Sequence, residues 1–221
     1  MTVRATVFDM DGLLIDSEIL WHRAEVEIFG DLGVPITSEQ DRSTKGMYVD
    51  EVVAYWHARF PWTGRSPDEV SAMLLARVGD LIESEGRLLP GAIRAIDLAR
   101  ARGPVALASS TPRLLIERSL RHFELLHLFS SVHSADVEPY GKPHPGVFLA
   151  AATALGLSGP ACLVFEDSAA GVLAAKAGRM TVVAVPVAED RHQAAFSLAD
   201  LVLESLEDVE EDWLDQQFSE G

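Results

Sequence analysis

Cysteine and basic residues are both scarce in this sequence. Cys162 is the one cysteine in 221 residues, so the chain cannot build a disulfide framework. There are 18 Lys and Arg residues against 34 Asp and Glu residues, a formal net charge of −16. Binding to nucleic acid needs a basic face, so this composition excludes that class of partner.

Long apolar runs are missing as well. No stretch approaches the roughly 20 apolar residues that span a bilayer, and the N-terminus lacks the charged and apolar regions of a signal peptide. We therefore expect a cytoplasmic protein with no membrane partner, and we expect it to be a monomer.

Hydrophobic residues are abundant, and they predict a folded domain with a packed core. Hydrophobic residues make up 48% of the chain, which suits one packed core with or without a small insert. The acidic balance would repel a phosphorylated substrate, so such a substrate would require a cation and well-placed basic groups at its site.

Short β-branched runs alternate with longer helical patterns through most of the chain. Strands are predicted at 2–9, 104–110, 161–167, 180–185 and 199–203, with a weaker candidate at 130–136. Helices are predicted at 91–103, 112–123, 145–156 and 168–179. This alternation predicts an α/β fold, a Rossmann-like parallel sheet flanked by helices.

Residues 16–86 interrupt the alternation, because three helical patterns follow one another there without a strand. We predict that 16–86 form a helical insert after the first strand, and that 1–15 and 87–221 form the core domain. Most aromatic residues of the insert are expected to pack its own small core. Trp21 and Tyr48 lie near its two ends and are expected to face a ligand.

Polar residues end three of the predicted strands. Asp9 ends the first and Asp11 follows it, Ser109 ends the second, and Glu166 and Asp167 end the strand at 161–167. Ligands of open parallel sheets bind beyond the carboxyl ends of the strands, so these side chains should converge. Clustered carboxylates repel one another unless a cation compensates, and an all-oxygen ligand set suits Mg²⁺.

Two further residues fit a phosphate site. Gly12 predicts a turn that points Asp9 toward the metal and Asp11 toward the other side of the reacting centre. Lys142 lies in a proline-stiffened loop and supplies a point charge for phosphate. Each feature alone has an ordinary explanation as a turn, a helix cap or a surface lysine. Their combination at successive strand ends predicts a phosphate-handling enzyme.

Four segments carry a resemblance to a known family. "DMDG" (9–12), "LASS" (107–110), "YGKPHP" (140–145) and "FEDSAAG" (165–171) resemble the four motifs of the haloacid dehalogenase superfamily. "FDMDGLLIDSE" is similar to its β-phosphoglucomutase-like phosphatases. The insert resembles the 2-deoxyglucose-6-phosphate (hexitol phosphate) phosphatases in "VVAYWHARFPWTG" and "RLLPG".

This resemblance implies a reaction. Asp9 is implied to be the nucleophile that forms an aspartyl-phosphate, and Asp11 the acid that protonates the departing sugar oxygen and then the base that activates water. Ser109 and Lys142 are implied to hold the phosphoryl oxygens, and the insert to be a mobile cap.

The resemblance also implies a magnesium site and a substrate class. Mg²⁺ is implied to be held by the Asp9 carboxylate, the Asp11 carbonyl and Asp167, with Glu166 as a direct or outer-shell ligand. The expected activity is hydrolysis of a small sugar or hexitol phosphate. We expect the substrate to touch three insert residues, Lys45, Trp21 and Tyr48.

Two alternatives remain open. A β-phosphoglucomutase would carry a histidine where Trp21 stands and an arginine where Val49 stands, so both departures favour water as the phosphoryl acceptor. A phospho-aspartate receiver module would place its acceptor on a later strand and be about 100 residues shorter. A dehalogenase is disfavoured, because the first motif of a dehalogenase lacks the second aspartate, which is Asp11 here.

Overall fold

The computed structural model describes residues 2–36 and 47–219 of the chain. The six strands of its sheet are β1 (Ala5–Phe8), β2 (Val105–Ser109), β3 (Ser131–Ser134), β4 (Cys162–Glu166), β5 (Thr181–Ala184) and β6 (Leu201–Val202). They pair in the order β3-β2-β1-β4-β5-β6, and every pair is parallel. The predicted parallel α/β sheet is therefore confirmed, with the weaker candidate at 130–136 forming β3.

Both faces of the sheet are buried, as the continuous apolar strands predicted. Along β1, Ala5 and Val7 belong to one core cluster and Phe8 to the other, because successive side chains of a strand point to opposite faces. Phe8 and Phe165 are paired neighbours on β1 and β4, and their rings stack with centroids 4.8 Å apart.

The insert contains the helices α1 (Glu18–Asp31), α2 (Val49–Arg59) and α3 (Pro67–Glu85). The helices after the insert cover the two faces of the sheet; they are α4 (Ala92–Arg100), α5 (Arg113–His122), α6 (Gly146–Ala154), α7 (Ala169–Ala177) and α8 (Glu211–Phe218). Apolar residues of α4, α5 and α8 pack with Phe8, whereas those of α6 and α7 pack with the small residues Ala5 and Val7. The helices predicted at 91–103, 112–123, 145–156 and 168–179 are confirmed, each slightly shorter than its pattern.

The insert has a cluster of buried side chains of its own. Phe29 of α1, Trp56 of α2 and Leu74 of α3 are fully buried in it, and Trp62 is buried beside them. Leu115 of α5 joins this cluster, so the insert packs against the rest of the chain.

Hydrogen bonds also tie the insert to the sheet domain. Its incoming and outgoing segments lie side by side, and the Asp16 amide donates to the Arg87 carbonyl at 2.9 Å. On α5, the Arg118 guanidinium bonds Glu83 of α3 through two nitrogens, both at 2.7 Å, and Asp80 at 2.8 Å. Gly79 of α3 leaves the space that this guanidinium occupies.

Within the part of the chain that the structure describes, no helix has both the length and the apolar character needed to cross a bilayer.

Candidate active site

The candidate site lies at the carboxyl edge of the sheet, where the strand order reverses. The chain moves from β1 outward through β2 and β3, then returns to β4 on the other side of β1. A reversal of this kind opens a crevice between neighbouring strand ends. Asp9 follows β1, Ser109 ends β2, and Glu166 and Asp167 end and follow β4; all four are buried. The structure therefore brings together the strand-end residues that the sequence singled out.

Lys142 links the carboxylates of Asp9 and Glu166. Its ammonium lies 2.7 Å from Asp9 Oδ1 and 2.5 Å from Glu166 Oε1, and it sits 4.6 Å from the centre of the Phe148 ring. The peptide bond between Lys142 and Pro143 is cis. A lysine that is 6% exposed is stable only when it is paired, and here two carboxylates pair it.

The charges of this cluster perturb one another. Burial raises the pKa of Asp9 to about 7, the Lys142 ammonium opposes this rise, and the Glu166 carboxylate adds to it. Burial by itself lowers the pKa of Lys142, but the charges of Asp9 and Glu166 outweigh burial and raise it above the usual value. Lys142 is therefore a permanent cation beside Asp9.

Glu166 already uses both carboxylate oxygens. Oε1 accepts from Lys142, while Oε2 accepts from the Ser168 amide at 2.7 Å and from the Ser168 hydroxyl at 2.9 Å. Ser168 in turn caps α7 by accepting from the Gly171 amide. A Cβ on Gly171 would overlap the Glu166 carboxylate, so this glycine is required for the close approach. These contacts favour a supporting position for Glu166 over direct ligation of a metal.

The donor set fits a divalent cation. One carboxylate oxygen each from Asp9, Glu166 and Asp167 lie within 4.8 Å of one another, and all three residues are buried. Oxygen-only ligands at one concentrated negative site suit a hard cation such as Mg²⁺. Gly12 lies directly against the Asp167 carboxylate of this cluster. Its φ is +73°, and a Cβ there would lie 2.5 Å from Asp167 Oδ2, so only glycine fits. The predicted turn at Gly12 is confirmed.

Asp11 has a separate set of partners. Its Oδ1 accepts from the Ser17 hydroxyl at 2.6 Å and from the Trp21 indole nitrogen at 3.1 Å. Its Oδ2 accepts from the Thr111 hydroxyl at 2.7 Å. All three partners are neutral, so Asp11 and Asp9 share one site but lie in different electrostatic surroundings.

Ser109 is oriented by the loop that follows it. The Thr111 amide donates to Ser109 Oγ at 3.0 Å, which occupies an acceptor position of the hydroxyl. The hydroxyl proton of Ser109 therefore remains to donate to an oxygen of a ligand.

A cavity of about 440 Å³ lies over these groups, between the insert and the sheet domain. The sheet domain contributes Asp9, Asp11, Ser109, Ser110, Thr111, Pro112, Asp167, Ser168, Val187, Glu189 and Asp190. The insert contributes Glu18, Ile19, Trp21, His22, Glu25, Met47, Val49, Val52 and Leu74. The cavity thus has the carboxylates of Asp9, Asp11 and Asp167 on the side of the sheet domain and a mixed apolar and acidic wall on the insert side.

The three insert residues expected to touch the substrate have different positions. Trp21 lines the cavity and bonds Asp11. Tyr48 is half-buried beside Gly141 of the lysine loop and is not among the residues that line the cavity. Burial, followed by the charges of Asp136, Asp50 and Glu51, raises the pKa of the Tyr48 phenol to about 12. The third, Lys45, lies outside the described residues.

Sequence reasoning missed three partners of the site. Ser17 and Thr111 bond Asp11, and Ser168 bonds Glu166. Ser168 follows Asp167 directly, and a serine before a helical pattern predicts only a helix cap. Thr111 is two residues beyond Ser109, and this spacing was the available signal.

Comparisons with known proteins bear on the same residues. A family model for haloacid dehalogenase-like hydrolases matches residues 3–179. Hexitol phosphatase B of Escherichia coli K12 is 43% identical over 209 residues, which are 94% of each chain. The crystal structure of CbbY from Rhodobacter sphaeroides with phosphate has a TM-score of 0.84 at 27% identity and covers 93% of this chain and 96% of that one.

A β-phosphoglucomutase structure from Clostridium difficile has the same TM-score of 0.84 at 21% identity, covering 98% of this chain and 97% of that one, which shows a shared fold. The family match spans the four motif segments and the whole insert. The resemblance predicted from the motifs is confirmed: the chain belongs to the haloacid dehalogenase-like hydrolases.

Proposed function

We propose that this protein is a Mg²⁺-dependent phosphatase that hydrolyses small sugar or hexitol phosphates through an aspartyl-phosphate on Asp9. The observation that carries the proposal is the presence of two differently partnered aspartates in one cavity. Asp9 is paired with the buried Lys142 ammonium, whereas Asp11 is held by neutral donors. One carboxylate is thus placed for bond formation to phosphorus and the other for proton transfer.

In the first step, an Asp9 oxygen attacks phosphorus and the bond from phosphorus to the sugar oxygen breaks. Asp11 gives its proton to that departing oxygen. In the second step, Asp11 takes a proton from water, the water oxygen bonds to phosphorus, and the bond to Asp9 breaks. Lys142 and the Ser109 hydroxyl donate to the phosphoryl oxygens.

Asp9 and Asp167 would hold the magnesium ion, with Glu166 behind them. When bound, it neutralises charge on the phosphoryl group and on the carboxylates, so that an anion can approach an anion. Divalent metals are general in this family, and the buried acidic cluster supports one here.

Two features support a sugar or hexitol phosphate as substrate. The similarity to hexitol phosphatase B extends over 94% of the chain and includes the insert. The cavity is large enough for a hexose-sized group beside the phosphate. We further propose that residues 16–86 act as a cap that closes over the substrate, with Lys45, Trp21 and Tyr48 near it, and that the enzyme is a cytoplasmic monomer.

The competing activity is a phosphosugar mutase. Val49 lines the cavity with an apolar side chain where a mutase of this family would carry an arginine for a second phosphate. Position 49 therefore offers no positively charged side chain to bind a second phosphate, which favours water as the phosphoryl acceptor.

The test is phosphate release in the presence of Mg²⁺, with and without EDTA. The substrates are 2-deoxyglucose 6-phosphate, hexose and hexitol phosphates, and phosphoglycolate. β-Glucose 1-phosphate with its bisphosphate primer is assayed alongside for glucose 6-phosphate. EDTA-sensitive phosphate release from sugar or hexitol phosphates, lost in Asp9→Asn, is expected. Formation of glucose 6-phosphate without free phosphate would instead identify a mutase.

A further inference from the structure

Asp11 is held from two parts of the chain at once. Thr111, in the loop between β2 and α5, donates to Oδ2, and Trp21 on α1 of the insert donates to Oδ1. Ser17, the residue directly before α1, also donates to Oδ1. Both carboxylate oxygens therefore accept hydrogen bonds, and both donors to Oδ1, Trp21 and Ser17, belong to the insert.

Every polar group of Thr111 makes a hydrogen bond. Its amide donates to Ser109 Oγ at 3.0 Å, its carbonyl accepts from the Ser134 hydroxyl at 2.6 Å, and its hydroxyl donates to Asp11 at 2.7 Å. Ser134 belongs to β3, so two successive hydrogen bonds, from Ser134 to Thr111 and from Thr111 to Asp11, connect Asp11 to the sheet. A side chain tied in this way has one available orientation, which is what a positioning group requires.

Trp21 differs from Thr111 in chemistry. An indole N–H donates and never accepts, so Trp21 can bond Asp11 only through a lone pair of the carboxylate. The Trp21 ring is rigid and half-buried in the cavity wall, so its N–H orients the Asp11 carboxylate.

We propose that Thr111 and Trp21 are positioning residues for Asp11, holding it from the sheet domain and from the insert so that it can deliver its proton to the departing sugar oxygen. The inference rests on the proposed function and assigns Trp21 a role toward Asp11 rather than toward the sugar.

A leaving-group comparison tests this role. A sugar alkoxide must be protonated as it leaves, whereas p-nitrophenolate leaves without an acid. The value of kcat/KM reports steps up to the formation of the aspartyl-phosphate, so misplacing the acid lowers it for the sugar phosphate and spares it for p-nitrophenyl phosphate. A positioned general acid is worth 10²–10⁴-fold, so partial misplacement should cost roughly 10–100-fold.

The variants are Trp21→Phe and Thr111→Val, which remove a single donor with little change in volume. The chain offers matched controls: within residues 2–36 and 47–219, the buried Trp56 indole N–H and the buried Thr6 hydroxyl have no hydrogen-bond partner. Trp56→Phe and Thr6→Val therefore make the same chemical change away from the site. Thr111→Ser keeps the hydroxyl and should restore most of the activity.

The measured quantity is the ratio of kcat/KM for the sugar phosphate to kcat/KM for p-nitrophenyl phosphate. Any inactive fraction of enzyme cancels in this ratio, so a partly unfolded variant still gives a result. We expect the ratio to fall roughly 10–100-fold in Trp21→Phe and Thr111→Val, and to remain at the wild-type value in both controls and in Thr111→Ser.

An unchanged ratio in Trp21→Phe and Thr111→Val would overturn the positioning role. Failure of the proposed function looks different: the wild type would then release no phosphate from any sugar phosphate, or Asp9→Asn would remain active.

Discussion

Replacing Lys142 by methionine should destabilise the protein strongly, because it leaves two buried carboxylates without their cation. Lys142 lies 2.7 Å from Asp9 and 2.5 Å from Glu166, and the exposed fractions of the three side chains are 3%, 8% and 0%. Methionine keeps the length and apolar stem of lysine, so packing is nearly preserved. Removing one partner of a buried ion pair costs about 3–5 kcal/mol. We expect that loss in the free energy of unfolding, measured by urea denaturation in EDTA.

A surface pair provides the control. Lys176 and Asp200 lie 2.8 Å apart, but their side chains are 30% and 43% exposed. The same change, Lys176→Met, should cost under about 1 kcal/mol. Equal m-values in both variants would show that the comparison measures the native state.

A double-mutant cycle separates the charge effect from packing. Glu166→Gln should destabilise the wild type, because the charged contact with Lys142 is lost. In the Lys142→Met background, the same change should stabilise the protein, because it removes one of the two uncompensated carboxylates. A coupling of about 1–3 kcal/mol is expected for such neighbours. Additive effects of Lys142→Met and Glu166→Gln would refute this account of the cluster.

Three further substitutions have defined outcomes. Gly12→Ala should abolish phosphatase activity, because φ is +73° and the new Cβ would lie 2.5 Å from Asp167 Oδ2; wild-type turnover in this variant would contradict the proposed metal position. Gly171→Ala should lower the melting temperature by displacing the Glu166 carboxylate, and an unchanged melting curve would show that the carboxylate moves freely. Arg118→Ala should cost about 1 kcal/mol at low salt and less in molar salt, since Arg118 and Glu83 are partly exposed; a salt-independent loss in urea titrations would exclude an electrostatic contact.

The architecture was predictable because strands and helices leave strong periodic signals. Polar residues after buried strands stand out, and parallel strands bring their carboxyl ends to one edge. For this reason Asp9, Ser109 and Asp167 were identified in advance as neighbours. Lys142 was identified from the proline-rich loop and is indeed the buried partner of Asp9.

Contacts between the insert and the sheet domain were not predictable in the same way. They depend on how α1 and the loop after β2 are both placed next to Asp11, and no local pattern encodes that placement. Trp21 was interpreted as a sugar contact, and the structure shows its indole bonded to Asp11. Thr111 precedes a proline, a sequence typical of a helix start, so the pattern gives no sign of its hydrogen bond to Asp11.

The division of roles between Glu166 and Asp167 also required coordinates. The two carboxylates are adjacent in sequence, Glu166 as the last residue of β4 and Asp167 directly after it. Only the contacts to Lys142 and Ser168 distinguish Glu166 from its neighbour, since they occupy both of its oxygens.

The central claim is that Asp9 forms the covalent bond and Asp11 transfers the proton. Asp11→Asn, mixed with p-nitrophenyl phosphate and Mg²⁺ and quenched in acid, tests it most directly. The first step needs no acid with this leaving group, whereas the second step lacks its base, so the intermediate should accumulate. Mass spectrometry should find a phosphoryl group on Asp9, absent from the Asp9→Asn/Asp11→Asn double variant. Nitrophenol release with no adduct at any time, or an adduct on another residue, would contradict the account.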